Sequence, residues 1–430
     1  MNNKQQRGSA RTQRPERTQV QMQLLALEHL VEADHRVRLV WQYVESLDLS
    51  EFYASFKATS DTVGRSPIDP QILLALWLYA TLEGIGSARK IAKRTTDTIP
   101  FIWICGGVSV NYHTLADFRS SNGDLFENLM VQSIAVLIDQ DLIPLDTIAQ
   151  DGMRVRASAG TSSMRRKPSL EKLLKKTQDH CERLKNQAES DDLSKRQNAA
   201  RQRAAEEKAR RVKQAIEELE RINAGREKYN RTTEKTRSST TDPEARRMKM
   251  ANGGFNPAFN VQFATDGECR VIVGVDITNS GGDGGLMSAM HEKIVTDYGR
   301  VPKEYLVDGP YATREDITQL ELAGTEVLAP IPMKSKMEKK GTDPHARQSR
   351  DTDEMFAFRK RMATQASKDR FKLRPSIAEF PNADCRNRGL QQFVVRGLKR
   401  AKGQAMLHVH AYNFMRFLNL GFLDSLKGAK

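Results

Sequence analysis

Apolar positions in the first third of the chain recur at the three- and four-residue spacing of helices. The segment SPIDPQILLALWLYATLEGIG combines Ser-Pro and Asp-Pro helix start signals with a Gly-Ile-Gly end. Ser87 can cap a short second helix, ARKIAKRT. A later stretch, FENLMVQSIAVLIDQ, is apolar enough for a core. We predict an all-helical domain over residues 19–140, preceded by a flexible basic tail at residues 1–18.

Residues 169–224 contain neither Gly nor Pro and are rich in charged residues. Within them, Val212, Ile216, Leu219 and Ile222 recur at helical spacing, which is typical of a long amphipathic helix, a helical hairpin or a coiled coil. The low-complexity stretch RTTEKTRSSTTDPEARRMK follows and predicts a flexible basic loop. We interpret 161–250 as one helical insertion.

Alternating and β-branched apolar runs begin after this insertion. Asp266-Gly267 separates two of them in GFNPAFNVQFATDGECRVIVGVDITN, which predicts a hairpin. Helix and strand patterns then alternate through LMSAMHEKIVTDYG, EYLVDG, TREDITQLELAG and TEVLAPIP. Ahead of the insertion, LDTIAQDGMRVRAS predicts another strand. Residues 141–160 and 251–430 thus form an α/β domain that the insertion interrupts.

The charge of the chain divides along the same boundaries. With 68 Lys and Arg against 54 Asp and Glu, the net charge is +14, and it divides into −2 for 1–160, +10 for 161–250, −7 for 251–330 and +13 for 331–430. A positive excess of this size indicates a polyanionic partner, and nucleic acid is the first candidate. A need for solubility alone would also explain the charge.

Composition also excludes several classes of protein. The longest apolar run, residues 72–82, is shorter than the roughly 20 residues of a membrane span. The polar start MNNKQQRGSARTQR lacks the apolar core of a signal peptide. The four cysteines have no Cys-x-x-Cys spacing, so neither a disulfide framework nor a zinc site is indicated. We expect a cytoplasmic protein without a membrane partner.

Two groups of residues are candidates for function. Two predicted helices are joined by a Gly-containing turn, and this arrangement is similar to a helix-turn-helix unit. The second helix carries four basic residues, Arg89, Lys90, Lys93 and Arg94. A solvated basic face explains these residues equally well.

Three carboxylates stand out by position. Asp151 and Asp308 each end an apolar strand and precede a glycine, which is where open α/β sheets place their chemistry, although Asp-Gly also forms simple turns. Glu379 has Arg374 five residues before it and Arg386 seven residues after it. An ordinary ion pair within a helix would give the same local sequence.

In order along the chain, these motifs resemble the DDE-type transposases of bacterial insertion sequences. The resemblance rests on SPIDPQILLALWLYATLEGIGSARKIAKRT, NYHTLADFR, AQDGMRVRASAG, TDPEARRMK with GFNPAFNVQFATD, LVDGPYATRED, and RPSIAEFPNADCRNRGLQQFVVRGLKRAKGQAMLHVHAYNFMRF. It implies an RNase H-like catalytic domain with a mixed five-stranded sheet, a helical insertion and an InsH-like N-terminal DNA-binding domain.

The resemblance also implies the site. Asp151, Asp308 and Glu379 would bind two Mg²⁺ ions, with Mn²⁺ able to substitute, because displacement at phosphorus places charge on two oxygens. Basic side chains would hold the DNA phosphates; these are Arg374, Arg386 and Arg388. Two features depart from the family: Arg386 stands where relatives often have Lys, and Pro381 should limit the helix that carries Glu379.

The expected function is therefore a transposase that binds terminal inverted repeats and target DNA as a homo-oligomer in the nucleoid. A non-catalytic DNA-binding protein derived from a transposase, and a metal-dependent nuclease of the same fold, are the alternatives. A structural coiled-coil protein would leave the α/β half unexplained. The insertion has two competing roles, dimerisation through its apolar stripe and DNA contact through its charge.

Overall fold

The computed structural model describes residues 26–56, 66–187, 195–228 and 230–428. The tail predicted at residues 1–18 lies outside them. The described part of the chain before residue 140 contains only helices and connecting turns. The helices are α1 (Arg36–Ser46), α2 (Ser50–Ala54), α3 (Pro70–Leu82), α4 (Ala88–Asp97), α5 (Ile99–Cys105), α6 (Tyr112–Ser121) and α7 (Gly123–Asp139).

Helix α3 confirms the first predicted helix. Asp69 caps it by accepting a hydrogen bond from the Gln71 amide, and Pro70 occupies its first turn, where no amide partner is lost. Nearly all of its side chains are buried, and the indole N–H of Trp77 donates to the Leu115 carbonyl at 2.9 Å. Ser87 caps α4, as predicted.

A mixed sheet forms the centre of the second half. Strand β1 (Thr147–Arg156) precedes the insertion, which contains β2 (Met164–Arg165), α8 (Lys167–Gln187), α9 (Lys195–Glu227) and β3 (Ser238–Ser239). The chain then forms β4 (Arg246–Lys249), β5 (Phe255–Asp266), β6 (Ile272–Thr278), α10 (Leu286–Tyr298), β7 (Glu304–Leu306), α11 (Arg314–Leu322) and β8 (Glu326–Leu328).

The strand order is β4-β5-β1-β7-β8, with β6 also paired to β5. Strand β1 is antiparallel to β5 and parallel to β7, and β7 is parallel to β8. This order is compatible with the RNase H-like fold that the resemblance implies. The expectation of five strands was wrong for the described residues, because β4 joins the sheet as a sixth strand.

Strand β4 lies in the stretch that was predicted to be a flexible loop. That prediction was also wrong, since Ser238 and Ser239 are buried in a second, two-stranded sheet and β4 pairs with the start of β5. Residues 167–187 and 195–227 of the insertion are helical, as predicted. Helices α8 and α9 pack against each other around Leu170, Ala215 and Leu219.

The last part of the described chain is helical. It forms α12 (Lys334–Lys339), α13 (Asp353–Ala363), α14 (Gln365–Phe371), α15 (Arg374–Asn387) and α16 (Leu398–Leu420). Helix α16 is buried along most of its length and contacts α3, α6, α7 and β6. The helical and sheet parts therefore share one hydrophobic core. Among the described helices, none combines the length and hydropathy needed to cross a bilayer.

Candidate active site

Asp151 lies within β1, and Asp308 follows the end of β7, the parallel neighbour of β1. The expectation that Asp151 ends its strand was wrong, because β1 continues to Arg156. Ala149 of β1 pairs in parallel with Leu306 of β7, and each aspartate follows two residues later. The shared register therefore places the two aspartates on adjacent segments of the chain, Asp151 within a strand and Asp308 in the turn that begins the 3-10 helix Gly309–Tyr311. Asp308 is exposed and accepts a hydrogen bond from the Gly309 amide at 2.7 Å.

The Asp151 carboxylate is held by two side chains of α15. Its Oδ1 accepts a hydrogen bond from Arg374 Nη2 at 3.1 Å, and its Oδ2 accepts one from Asn382 Nδ2 at 2.9 Å. Burial raises the pKa of Asp151, and the positive charge of Arg374 opposes that rise. The carboxylate is thus half-buried, hydrogen-bonded and paired with a cation.

Glu379 lies on the same helix and shares the same cation. Its Oε1 is 3.5 Å from Arg374 Nη1, but its side chain is 60% exposed, whereas that of Arg374 is 9% exposed. Helix α15 continues through Pro381, so the expectation that this proline limits the helix was wrong. Pro381 removes one amide donor from the helix without ending it.

One guanidinium group therefore joins Asp151 and Glu379, while Asp308 lies apart from them on its own turn. Carboxylate oxygens are suitable donors for Mg²⁺. In the described residues, however, no group of three or more His, Cys, Asp or Glu side chains is arranged to hold a metal ion. The donor chemistry suits the metal, but the arrangement around Arg374 does not fit it.

Gly152 allows a polar cluster to form next to Asp151. A Cβ atom at this position would lie 2.2 Å from Gln262 Nε2 and 2.8 Å from the Tyr311 hydroxyl. Gln262 Oε1 accepts hydrogen bonds from the Tyr311 hydroxyl at 2.5 Å and from Gln150 Nε2 at 3.0 Å. Asn260, on the same face of β5, donates to Asp283 at 2.8 Å.

The basic residues proposed to hold DNA differ in their surroundings. Arg374 is buried against Asp151. Arg388 donates to Asp384 at 2.7 Å and to the Leu82 carbonyl at 3.3 Å, so its charge is already matched. Arg386 lines a cleft of about 650 Å³ that also includes Gly152.

The basic side chains of α4 are all exposed, namely Arg89, Lys90, Lys93 and Arg94. The guanidinium group of Arg89 lies over the Tyr112 ring at 5.0 Å. Arg94 lies 3.8 Å from Asp97 and donates to Thr98. This helix lies within α1–α6, apart in sequence from the carboxylates.

Residues 25–121 match the transposase domain family DUF772. No curated protein and no solved structure matches the chain. The family match covers the N-terminal helices through α6 and supports a transposase role for the protein. It includes the four basic residues of α4 and ends before the three carboxylates.

Sequence reasoning missed several residues of this site. Asn382 and Tyr311 carry no motif of their own, and only the fold brings them to Asp151 and to Gln262. Arg156 and Lys249 line the same cleft as Arg386. The alternation of apolar Met153 and Val155 with basic residues along β1 was the one local signal that could have identified Arg156.

Proposed function

We propose that this protein is a DDE-type DNA transposase of an insertion sequence. It binds the terminal inverted repeats of its element, cleaves the ends and joins the 3′ ends to target DNA. The observation that most supports this is the placement of Asp151 on β1 and of Asp308 just after β7, the parallel neighbour of β1, in a chain with a transposase domain. Asp151 and Glu379 also contact one guanidinium group.

The proposal includes a divalent metal, Mg²⁺ or Mn²⁺, with Asp151, Asp308 and Glu379 as its ligands and two ions per site. When bound, such ions stabilise negative charge on the attacking and leaving oxygens of a phosphoryl transfer. The arrangement described above does not hold a metal, because no three carboxylates of the described residues converge and the Arg374 cation contacts both Asp151 and Glu379. Release of Asp151 by Arg374 is therefore a requirement of the proposal.

The other assignments follow from exposure. The basic residues of α4 are accessible, and we assign them to the terminal repeats. Phosphates are bound by exposed cations in preference to cations already paired with carboxylates. Double-stranded DNA is then the partner, a homo-oligomer forms on it, and the protein acts in the nucleoid of the cytoplasm.

Cleavage of the element's own ends tests the catalytic assignment. The ends are taken from the DNA that flanks the coding region and incubated with Mg²⁺ or Mn²⁺. We expect Asp151→Asn to lower the cleavage rate at least about 100-fold, the equivalent of roughly 3 kcal/mol in the barrier. Strand joining is scored in the same reaction.

Asp146→Asn is the matched control. Asp146 lies just before β1, at the opposite end of the strand from the site, where it forms an exposed ion pair with Lys303 at 2.8 Å. Such pairs contribute little to stability, so cleavage by this variant should equal that of the wild type. Full activity of Asp151→Asn would overturn the assignment, and cut ends that are never joined would identify a nuclease.

One observation favours a non-catalytic DNA-binding protein instead. The cation of Arg374 already neutralises Asp151 and lies 3.5 Å from Glu379, as expected if these carboxylates only stabilise the fold. A wild-type protein that binds the terminal repeats tightly but never cleaves them, with either metal, would establish this function.

A further inference from the structure

A cleft lined by basic side chains opens beside Gly152, the residue that follows Asp151. Its other lining residues include Arg154 and Arg156 of β1, Lys249 of β4 and Arg386 of α15. We call this set of five residues the basic cleft. It combines one strand that carries a candidate catalytic aspartate with the helix that carries Glu379. Side chains alternate along a strand, so those of Arg154 and Arg156 lie on the opposite face of β1 from that of Asp151. A ligand in the basic cleft would lie beside Gly152, one residue from Asp151 in the chain.

Three of the four cations of the basic cleft form no ion pair with the described part of the protein, Arg154 being the exception. Of the residues that the structure describes, none that lines this cleft has a carboxylate. Arg154 donates to the Gly281 carbonyl at 3.0 Å and lies 3.7 Å from Asp283. Within the same described ranges, Arg156, Lys249 and Arg386 form no ion pair, and the first two are exposed.

A second cleft that is lined by arginines differs from the basic cleft, because carboxylates accompany its cations. The cleft between α9 and the start of α16 is lined by Arg210, Arg211, Arg396 and Arg400, but also by five carboxylate residues. Glu218 there pairs with Arg246 at 2.6 Å. The charges of that cleft are largely matched, whereas those of the basic cleft are not.

Unmatched cations in a concave surface select a polyanion. Guanidinium groups bind phosphate oxygens in a bidentate manner, and amide side chains add neutral donors. Asn252, Asn256 and Gln391 supply such amides to the basic cleft. The spread of the cations over β1, β4 and α15 suits successive phosphates along a chain better than one isolated anion.

We propose that the basic cleft binds the phosphate backbone of one DNA strand and holds it beside Gly152, the residue that follows Asp151. This rests on the proposed function and deepens it. Phosphate binding is thereby assigned to Arg156, Lys249 and Arg386, in place of Arg374 and Arg388, whose charges are already matched.

The salt dependence of DNA binding tests this proposal without requiring cleavage. The full chain is titrated against a labelled duplex of random sequence, by fluorescence anisotropy, over a series of NaCl concentrations. Each phosphate contact contributes about 0.9 to the slope of log K against log [NaCl]. The triple variant Arg156→Gln, Lys249→Gln, Arg386→Gln should therefore reduce the magnitude of this negative slope by about 2–3.

The control removes a cation elsewhere on the surface. Lys336→Gln changes an exposed lysine of α12 that does not line the basic cleft. An unchanged slope in the triple variant, or an equal change per charge in the control, would overturn the proposal. If the triple variant does not fold, as judged by circular dichroism, Lys249→Gln alone should lower the slope by about 0.9.

This outcome is separable from that of the proposed function. Asp151→Asn tests cleavage, whereas the slope measures only backbone contacts. A normal slope change in a protein that never cleaves DNA would support the basic cleft and overturn the catalytic assignment. Cleavage with an unchanged slope would do the reverse.

Discussion

At the scale of single residues, Gly152 decides how closely the polar side chains of β5 approach the middle of β1. Its missing Cβ leaves room for the amide of Gln262 and for the hydroxyl of Tyr311. A glycine beside a candidate catalytic residue can let a ligand approach the backbone. In the structure, the space is filled by the protein's own side chains, which lie directly behind Asp151.

Gly152→Ala should therefore destabilise the protein. Its Cβ would overlap Gln262 Nε2, and overpacking of this kind typically lowers the free energy of unfolding by about 1–3 kcal/mol. Gly160→Ala is the control, because its Cβ would meet nothing closer than the Ser162 hydroxyl at 3.6 Å, and a change below about 0.5 kcal/mol is expected. Urea denaturation of both variants measures the difference, and equal losses would contradict the packing argument.

The candidate site could be predicted from the sequence only in part. Asp151 and Asp308 were identified because an Asp-Gly pair after an apolar run is visible in a local pattern, although β1 does not end at Asp151 but continues to Arg156. The ion pair between Asp151 and Arg374 joins residues 223 positions apart. No local spacing contains such a contact, and for that reason Arg374 was predicted to hold DNA.

At the scale of elements, the start of α16 depends on the segment at the end of the insertion. The Gly397 amide lies 3.2 Å from the Asp242 carboxylate, and the Leu398 amide donates to Glu244 at 2.8 Å. Two carboxylates thus satisfy the first amides of the helix and complement its dipole. These contacts order a segment whose composition alone predicted a flexible loop.

Asp242 should make stability depend on pH. Burial raises its pKa from the ordinary 3.8 to about 6, so the folded protein takes up a proton that the unfolded chain does not bind. The free energy of unfolding should then rise by about 1.5 kcal/mol, from this group, between about pH 7.5 and about pH 5.

Asp242→Asn removes this titration while keeping an oxygen acceptor for the Gly397 amide. The pH dependence of its unfolding free energy, measured with urea, should therefore be flatter than that of the wild type by the same amount. Parallel curves for the two proteins would show that Asp242 does not titrate in this range.

At the scale of the whole molecule, the apolar stripe of the insertion is buried between its own two helices, α8 and α9. Val212 and Leu219 are buried, as are Leu170 and Ala215, and the exposed faces of the two helices are charged. This packing favours DNA contact over dimerisation as the role of the insertion. The two helices can be deleted between β2 and β3, because Arg165 and Ser238 are paired and a short turn can join them.

Replacing residues 166–237 by Asn-Gly, a turn suited to a two-residue hairpin, should leave the number of subunits in solution unchanged. DNA affinity should fall and its salt dependence should weaken, because the removed segment is strongly basic. Light scattering and anisotropy measure the two quantities. A dimeric wild type that becomes monomeric on deletion would favour dimerisation.

The fold could be predicted where its signals were local. The cap of α3, the hairpin at Asp266-Gly267 and the alternation of β7, α11 and β8 are all written in short stretches of sequence. Strand β4 was missed because its extended conformation depends on hydrogen bonds to β5. Nothing in its own composition indicates a strand.

Helix α16 has a consequence for how the protein is made. Its buried side chains fill the space between α3, α6 and α7, and its Gly403 packs against the backbone at Arg119 and Gly123. The N-terminal helices leave the ribosome first, but their hydrophobic faces stay uncovered until nearly the whole chain has been synthesised. A prematurely terminated chain would therefore expose an apolar surface and be prone to aggregation.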